Sequence, residues 1–464
     1  MHPTVLADAG TNLLAARNQM GFTLGFHIVL ACFGVAFLAV MLIAELVGRR
    51  RGDAEALRLA RNWSKGVAVL FAVGAVSGTV LSFEFGLLWP RFMDRFGDAF
   101  GIAFAIEGIF FFLEAIFIAI YIYGWNRLSP RAHMLAAIPI VISGIGGAFS
   151  VVSANAWMNQ PQGFTLDAAG HVTHVKPFEV IFNPATGYEF LHMWLAAYMV
   201  TGFLIASVYA VGMLRGRRDR YHRLGFLIPF TVAAIATPIQ LFVGDTAARA
   251  IADDQPAKFA AMECIYKSGD DQAEHVGGIC HDGKVTGGVS IPGLDSLLVG
   301  FSTGTHVTGL DQIPANARPP ANTLLHLSFD TMVGIATLLF LLAVWFAISW
   351  WRRRDIPGTR WFLRAGAVAG AAAVAALECG WIVTEVGRQP WIVNGYMRTA
   401  DAVTPAKGIW FVFGLTMAIY IGLAVVAALV LRGLSRRWRE DRLGDVADVP
   451  YGPPPGKAAP GGAR

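Results

Sequence analysis

The chain has 464 residues, of which 55% are hydrophobic and only 15% are charged, and its mean hydropathy is +0.52. Soluble globular domains are less apolar than this, so that class of protein is excluded. The formal charge of +5 comes from Lys and Arg between apolar segments, which membrane topology explains without a nucleic-acid partner. We therefore predict a polytopic membrane protein.

Nine apolar segments are long enough to cross a bilayer as helices, at about 1.5 Å of rise per residue. They predict an all-α fold, namely an integral membrane bundle of about nine transmembrane helices. In chain order, the predicted spans are 19–47, 66–84, 100–125, 133–153, 187–213, 223–245, 326–350, 361–386 and 408–431.

The predicted spans divide the chain into four parts. Residues 1–245 hold helices one to six, residues 246–325 form a polar loop on the outside, and residues 326–432 hold helices seven to nine. Residues 433–464 form a tail whose end is rich in Pro, Gly and Ala, and we expect this tail to be cytoplasmic and disordered.

The connections between helices alternate in charge, which predicts the orientation of the chain. Basic clusters follow the first, fifth, seventh and ninth predicted helices, whereas intervening loops such as 154–186 are poor in Lys and Arg. The positive-inside rule then places the N-terminus outside and the C-terminus in the cytoplasm. The first 18 residues lack a basic region leading into an apolar core, so no cleaved signal peptide is expected.

The outer loop carries side chains suited to substrate binding. Lys258 and Glu263 place a cation and a carboxylate five residues apart. Loops of this length are usually functional or disordered, and we interpret this one as a substrate loop hinged on Gly and Pro. Cys264 and Cys280 share the oxidising side, so they are candidates for a disulfide, although their spacing does not decide whether they pair.

Glutamates, histidines and one methionine lie within the apolar helices at similar predicted depths. Ionisable groups are costly inside a bilayer and usually mark a cofactor site or an ion path. His192 and Met332 both lie roughly 8 to 10 Å below the outer end of their helices, and a His with a Met can form the axial pair of a low-spin haem. Taken singly, each is more often a packing residue. The set comprises His27, Glu107, His192, Met332, Glu378 and Glu385.

A second carboxylate predicts a proton path. Glu114 lies seven residues beyond Glu107 on the same helical face, about 10 Å deeper. This spacing suits a relay from the cytoplasm, which His133 near the inner side could feed. The structural alternative for Glu114 is a hydrogen-bonding residue. For Glu107 and Glu385 it is a snorkelling or interface-facing carboxylate, and for His27 a bond to a backbone carbonyl. Glycines at close-packing spacing are explained by helix packing alone: Gly21 with Gly25, Gly74 with Gly78, and Gly144, Gly146 and Gly147.

The segment 380–391, with the sequence GWIVTEVGRQPW, resembles the GW…E.GRQPW signature of subunit I of cytochrome bd-type ubiquinol oxidase. The similarity extends from about residue 10 to 430. Other similar stretches are 17–27, 83–86, 105–108, 113–114, 124–128, 155–158 and 258–263.

The resemblance implies specific cofactor ligands. His192 and Met332 match the axial ligands of the low-spin haem b558. His27 matches the ligand of a high-spin haem, usually haem b595, and Glu107 matches a carboxylate near or on the neighbouring high-spin iron, which belongs to haem d or to a third haem b. The residues that match those packed around this pair are Arg17, Trp381, Glu385 and Arg388.

Two departures from the family pattern are visible. Asp330 stands two residues before Met332, where many members carry Arg, and Asn126 replaces an Asp that is common in the segment 124–128. The first alters the expected electrostatics of the low-spin site, and the second weakens any proton role there. The short outer loop resembles that of the short-loop, cyanide-insensitive branch.

The resemblance implies a haem-containing terminal quinol oxidase of the bacterial inner membrane. Lys258 and Glu263 would bind quinol at the outer face, and O₂ would be reduced to water with cytoplasmic protons taken up through Glu114, which generates proton-motive force without a pump. Expected partners are a second large subunit, a small single-helix subunit and membrane lipids. The alternatives are a proton- or cation-coupled transporter and a b-type cytochrome that passes electrons without reducing O₂.

Overall fold

The computed structural model describes residues 3–320 and 322–439, with the backbone alone for residues 3–11 and for Arg439. Within these ranges nine helices are long and apolar enough to cross a membrane, which confirms the predicted bundle. They are α1 (Pro3–Arg51), α2 (Ala54–Leu88), α3 (Pro90–Gly124), α4 (Pro130–Asn159), α6 (Thr186–Leu214), α7 (Arg220–Asp254), α10 (Asn322–Arg353), α11 (Arg360–Gly387) and α13 (Ile409–Arg439). From residue 440 onward, the predicted tail lies outside the described residues.

Short elements connect the long helices. The helices among them are α5 (Pro177–Ile181), α8 (Pro256–Met262), α9 (Leu294–Gly300), α12 (Thr399–Ala402) and two 3-10 turns, Leu310–Gln312 and Ala315–Ala317. The strands form four antiparallel pairs: β1 (Thr165–Leu166) with β2 (Val172–Thr173), β3 (Glu274–Val276) with β6 (Val289–Ile291), β4 (Ile279–His281) with β5 (Lys284–Thr286), and β7 (Trp391–Val393) with β8 (Met397–Arg398).

The helices run past the predicted spans because hydropathy marks the part inside the bilayer and not the helix ends. Capping residues set several ends instead. The Asp53 carboxylate accepts bonds from the backbone N–H groups of Glu55 and Ala56 at the start of α2. Asp219 caps α7 in the same way. At its other end α7 continues to Asp254, nearly to the residue where α8 begins.

The basic helix ends meet at one end of the bundle. Arg220 at the start of α7 pairs with Asp53 at the start of α2. Arg61 on α2 donates to Asn126 Oδ1 between α3 and α4 over 2.8 Å. These links show that Asn126 serves a connection at this end, while the loop between α7 and α10 lies at the opposite end.

Helix packing produces a continuous core. Helix α6 packs against α7 and α11, α1 against α2, and α3 against α4. An aromatic cluster joins α7, α10 and α11, with the ring of Phe230 centred 5.0 Å from that of Phe346 and 5.5 Å from that of Phe362. Each large aromatic side chain buried in this way stabilises the fold by about 3 kcal/mol.

The outer loop is folded. A disulfide joins Cys264, just after α8, to Cys280 on β4, with a Cα–Cα distance of 6.1 Å. Helix α8 packs against α7, α10 and α11. The loop is thereby attached to the ends of three membrane helices.

Candidate functional site

A cavity of about 600 Å³ lies between α1, α2, α3, α4 and α11. This volume is in the range of ligand and cofactor pockets in proteins, about 300–1,000 Å³. Seven predicted site residues line it, which places most of the expected high-spin site in one compartment. These residues are Arg17, His27, Glu107, Glu114, Trp381, Glu385 and Arg388.

His27 is positioned by its neighbours on α2. Its Nδ1 lies 2.9 Å from Ser77 Oγ, so Nε2 is the ring nitrogen left for a metal. A Cβ at Gly78 would lie only 2.8 Å from His27 Cε1. Gly78 therefore makes room for the imidazole. Helix packing, the role predicted for this glycine, does not describe it fully.

Two arginines present buried N–H groups at the cavity. Arg17 Nη2 donates to Gln389 Oε1 over 2.7 Å, and Arg388 Nη2 donates to Glu385 Oε2 over 2.5 Å. Arg17 Nε and Arg388 Nε and Nη1 have no hydrogen-bond partner among the described residues. Unpaired buried donors are costly, and the propionate carboxylates of a haem would satisfy them. This donor set fits the cofactor that the sequence predicts.

Glu385 is held from two sides. Besides the bond from Arg388, its Oε1 accepts a hydrogen bond from Asn155 Nδ2 on α4 over 2.5 Å. Glu378, about two turns earlier on the same helix, does not line the cavity. Its Oε2 would lie 3.1 Å from a Cβ at Gly25, so it faces α1.

Glu107 and Glu114 extend the cavity wall along α3. Glu114 is buried, and its Oε1 has no hydrogen-bond partner among the described residues. A Cβ at Gly34 or at Gly144 would lie 3.7 or 3.6 Å from this oxygen. Glycines on α1 and α4 thus border the carboxylate, and Gly144 has a role beside helix packing.

His133 belongs to a buried cluster deeper in the bundle. Its Nδ1 lies 2.9 Å from Glu45 Oε1, and Tyr121 Oη donates to Glu45 Oε2 over 2.5 Å. Arg49 Nε also donates to this carboxylate. Tyr121 lies seven residues beyond Glu114 on α3, so the cluster is about 10 Å further along the same helical face. Sequence reasoning found His133 but missed Glu45 and Tyr121.

His192 and Met332 lie outside the wall of the cavity. His192 Nε2 is 3.2 Å from Gln240 Nε2, and His192 Nδ1 is buried without a hydrogen-bond partner in the described part of the chain. A Cβ at Gly380 would lie 3.0 Å from Met332 Sδ. The neighbouring Met193 does line the cavity, so His192 lies on α6 beside a residue of the cavity wall.

Lys258 and Glu263, the predicted residues of the outer loop, are both buried, with 4% and 3% of their surface exposed. Lys258 packs against Gly387 on α11, and its Nζ donates to Asn159 Oδ1 over 3.0 Å. Burial lowers the pKa of Lys258 to about 8, while the nearby carboxylate of Glu189 acts in the opposite direction.

Glu263 lies apart from this network, in an acidic cluster. Burial is the main cause that raises the pKa of Glu263 well above its ordinary value. Repulsion from the nearby carboxylates of Glu274, Asp295 and Asp330 raises it further. Asp330, the departure from the family pattern, accepts a hydrogen bond from the backbone N–H of Gly277 over 2.5 Å. It therefore ties the outer loop to α10.

Sequence reasoning missed the polar network that links Lys258 to the cavity. Asn159 Nδ2 donates to Glu189 Oε1 over 3.0 Å and lies 3.2 Å from Asn155 Oδ1. Asn155 in turn reaches Glu385. The spacing of the two asparagines by four residues was an available signal, because it places them on one face of α4. Glu189 gave no such signal, because an acidic residue in the first turn of a helix is explained by the helix dipole alone.

Within the described residues, nine helices are long and apolar enough to cross a membrane, and several of them line a largely apolar cavity that holds ionisable side chains. This arrangement defines a polytopic membrane protein with an internal site. The family model described as cytochrome bd terminal oxidase subunit I matches residues 15–438, and the chain belongs to this family.

Individual relatives agree with the family. A Bacillus subtilis (strain 168) protein named "Putative cytochrome bd menaquinol oxidase subunit I" is 32% identical over 430 residues, which cover 90% of this chain and 96% of that protein. The cytochrome bd ubiquinol oxidase subunit 1 of the same organism is 29% identical, over 85% of this chain and 86% of its own. The solved bd oxidase from Geobacillus thermodenitrificans is 34% identical, with a TM-score of 0.87, over 92% of this chain and 98% of the solved one.

The chain is thus subunit I of a haem-containing quinol:O₂ oxidoreductase, a terminal oxidase of a bacterial respiratory chain. It is a multi-pass membrane protein that works with a second large subunit. The transporter and the simple b-type cytochrome are not favoured.

Proposed function

We propose that the cavity residues form the site of O₂ reduction and that His192 and Met332 hold a separate low-spin haem. The observation that carries this proposal is the single compartment that joins His27 and Glu107 to the unpaired N–H groups of two arginines. Haem iron bound there supplies electron transfer and the centre at which O₂ is reduced. His27 Nε2 is the proposed ligand, with Glu107 and Glu385 as nearby carboxylates.

The proposed haems are b558 at His192 and Met332, with b595 and d in the cavity. A third haem b in place of haem d is the alternative. The absorption spectrum of the purified complex tests this assignment, because haem d is a chlorin with a far-red band. We expect that band together with two b-type signals. A spectrum with b-type signals alone would replace haem d by a third haem b.

The proposed orientation places the N-terminus outside and the C-terminus in the cytoplasm. The clustering of basic helix ends at one end of the bundle supports it, since positive residues favour the cytoplasmic side. Protons for water formation would then enter from that side, along Glu114, while quinol protons leave on the other. The proposal also includes a small single-helix subunit and bound lipid.

We assign quinol binding to the outer loop, with Lys258 and Glu263 as its functional residues. Burial of both side chains implies that the loop moves when quinol enters. Lys258 would donate to a quinol oxygen, and Glu189, joined to it through Asn159, would accept the proton. Asn155 and Glu385 extend this network to the cavity.

Replacing Lys258 with Ala should lower turnover with quinol by at least about tenfold, because a buried charge-assisted bond contributes roughly 1.5–3 kcal/mol. Oxidation of an artificial one-electron donor that bypasses the loop should continue at the normal rate. Oxygen uptake with each donor measures the difference.

The matched control is Lys267→Ala, since Lys267 is an exposed lysine in the same loop. It should leave both activities unchanged. Because the pKa of Lys258 is about 8, its charge is lost as the pH rises through that value. The quinol KM should therefore increase there in the wild type and in Lys267→Ala, but not in Lys258→Ala. An equal loss with both donors in Lys258→Ala would show that the effect is not specific to quinol and would refute the assignment.

A further inference from the structure

Three carboxylates converge in the outer loop from three separate elements. Glu263 follows α8, Glu274 begins β3, and Asp295 lies in the first turn of α9. One oxygen from each lies within 4.8 Å of the other two. Three elements of one loop therefore place acidic groups around one point.

Two of these carboxylates are buried without partners. Glu263 is 3% exposed and Asp295 is 1% exposed. Glu263 Oε2 and Asp295 Oδ2 have no hydrogen-bond partner among the described residues. Buried polar oxygens are almost always bonded to a donor, a water or an ion, so this pair of unpaired oxygens points to a ligand.

No basic side chain in the described part of the chain forms an ion pair with the three acids. His326 on α10 is engaged elsewhere: its Nδ1 lies 2.8 Å from Met262 O, and its Nε2 lies 3.2 Å from Gly277 O and 3.4 Å from Asp330 Oδ2. Each buried carboxylate without a cationic partner lowers the stability of the fold by about 3 kcal/mol. A positive ligand would remove this cost.

We propose that Glu263, Glu274 and Asp295 bind a calcium ion that fixes the folded outer loop. The donor set contains oxygen only, which favours a hard divalent cation over a transition metal. Three carboxylates supply up to six oxygens, and Ca²⁺ takes about six to eight. Glu274 is partly exposed and gives the ion a route from solvent.

The ion would join the end of α8 to β3 and α9. The bound ion would fix the position of Glu263, which is also a proposed quinol-binding residue. Calcium binding is measured without turnover, so the test of this site does not depend on the proposed redox function. Its failure would leave the roles of the membrane helices untouched.

Calcium titration of the purified complex tests the proposal. After chelator treatment and dialysis, calorimetry with CaCl₂ should show one ion per subunit I, with a Kd below about 1 mM. Asp295→Asn and Glu274→Gln should each weaken binding at least about tenfold. Asp282→Asn, which removes an exposed acid of the same loop, should leave the Kd unchanged.

The haem spectrum of each variant serves as the folding check, because all three acids lie outside the membrane helices. Absence of saturable Ca²⁺ binding to the wild type would overturn the proposal. Protonation of the carboxylates would then be the explanation for their burial. Unchanged affinity in both acid variants would place the ion elsewhere and also overturn it. Equal affinity for MgCl₂ would overturn the assignment to calcium.

Discussion

Replacing His192 with Ala or Met332 with Leu should remove the low-spin haem from the purified complex while the high-spin pair stays in place. The two residues lie on α6 and α10, outside the wall of the cavity that holds the other proposed ligands. A loss confined to one haem is therefore expected. The reduced-minus-oxidised spectrum should lose at least about nine tenths of the low-spin b signal.

The chemistry of the two side chains supports this expectation. His192 Nδ1 is buried without a hydrogen-bond partner among the described residues, and the thioether of Met332 contacts the bare backbone at Gly380. Leu keeps the approximate volume of Met but offers no sulfur, so Met332→Leu tests ligation and not packing.

A matched control is Met199→Leu, since Met199 is a buried methionine of α6 that packs in the hydrophobic core of the bundle. It should keep the full low-spin spectrum. Normal low-spin absorption in both His192→Ala and Met332→Leu would contradict the assignment. Loss of all haem in either variant would indicate unfolding, which circular dichroism of the helix content would detect.

The sequence predicted the helices and their shared compartment well because both depend on local pattern. A run of apolar residues must form a helix in lipid, where each backbone group needs an internal partner. A polar residue within such a run has a depth that follows from its position. His27, Glu107 and Glu385 were placed in one layer by this argument, and all three line the cavity.

Features that depend on tertiary structure were not predictable in the same way. The burial of Lys258 comes from the docking of α8 against α11, where Gly387 leaves space for the lysine stem. Nothing in the local pattern around Lys258 specifies that contact. The pairing of Cys264 with Cys280 also required the fold of the loop, because a separation of 16 residues is compatible with many geometries.

Glycines illustrate the same limit. The spacing of Gly74 and Gly78 predicts close approach of another helix, and α1 does pack against α2. Only the structure shows which neighbour needs the space: a Cβ at Gly74 would meet Leu30 at 3.6 Å, whereas one at Gly78 would meet His27. One glycine thus serves packing, and the other serves a proposed ligand.

Replacing Glu114 with Gln should slow O₂ reduction and proton uptake by at least about tenfold while all haems remain bound. Gln keeps the shape and most of the polarity of Glu but cannot release a proton. Glu114 lines the cavity, has an unpaired buried oxygen, and lies between Glu107 and Tyr121 at seven-residue intervals on α3. These three residues therefore follow one helical face over roughly 20 Å.

The cluster of Glu45, Tyr121 and His133 gives this path an inner end. Its members share hydrogen bonds of 2.5 and 2.9 Å, so the three side chains form a continuous hydrogen-bonded group. A proton delivered there would need to cross about 10 Å to reach Glu114. We expect Glu45→Gln to slow proton uptake as well, although Arg49 then loses its partner.

Glu84→Gln is the matched control for Glu114→Gln. Glu84 is another buried helical carboxylate, but its Oε1 accepts bonds from Gln19 and Thr23, and it does not line the cavity. It should support normal proton uptake. Proton uptake is measured in vesicles with a pH dye, and haem content with the absorption spectrum. If Glu114→Gln keeps the wild-type rate and membrane potential, the path runs elsewhere, such as through the second large subunit, and Glu114 has a structural role.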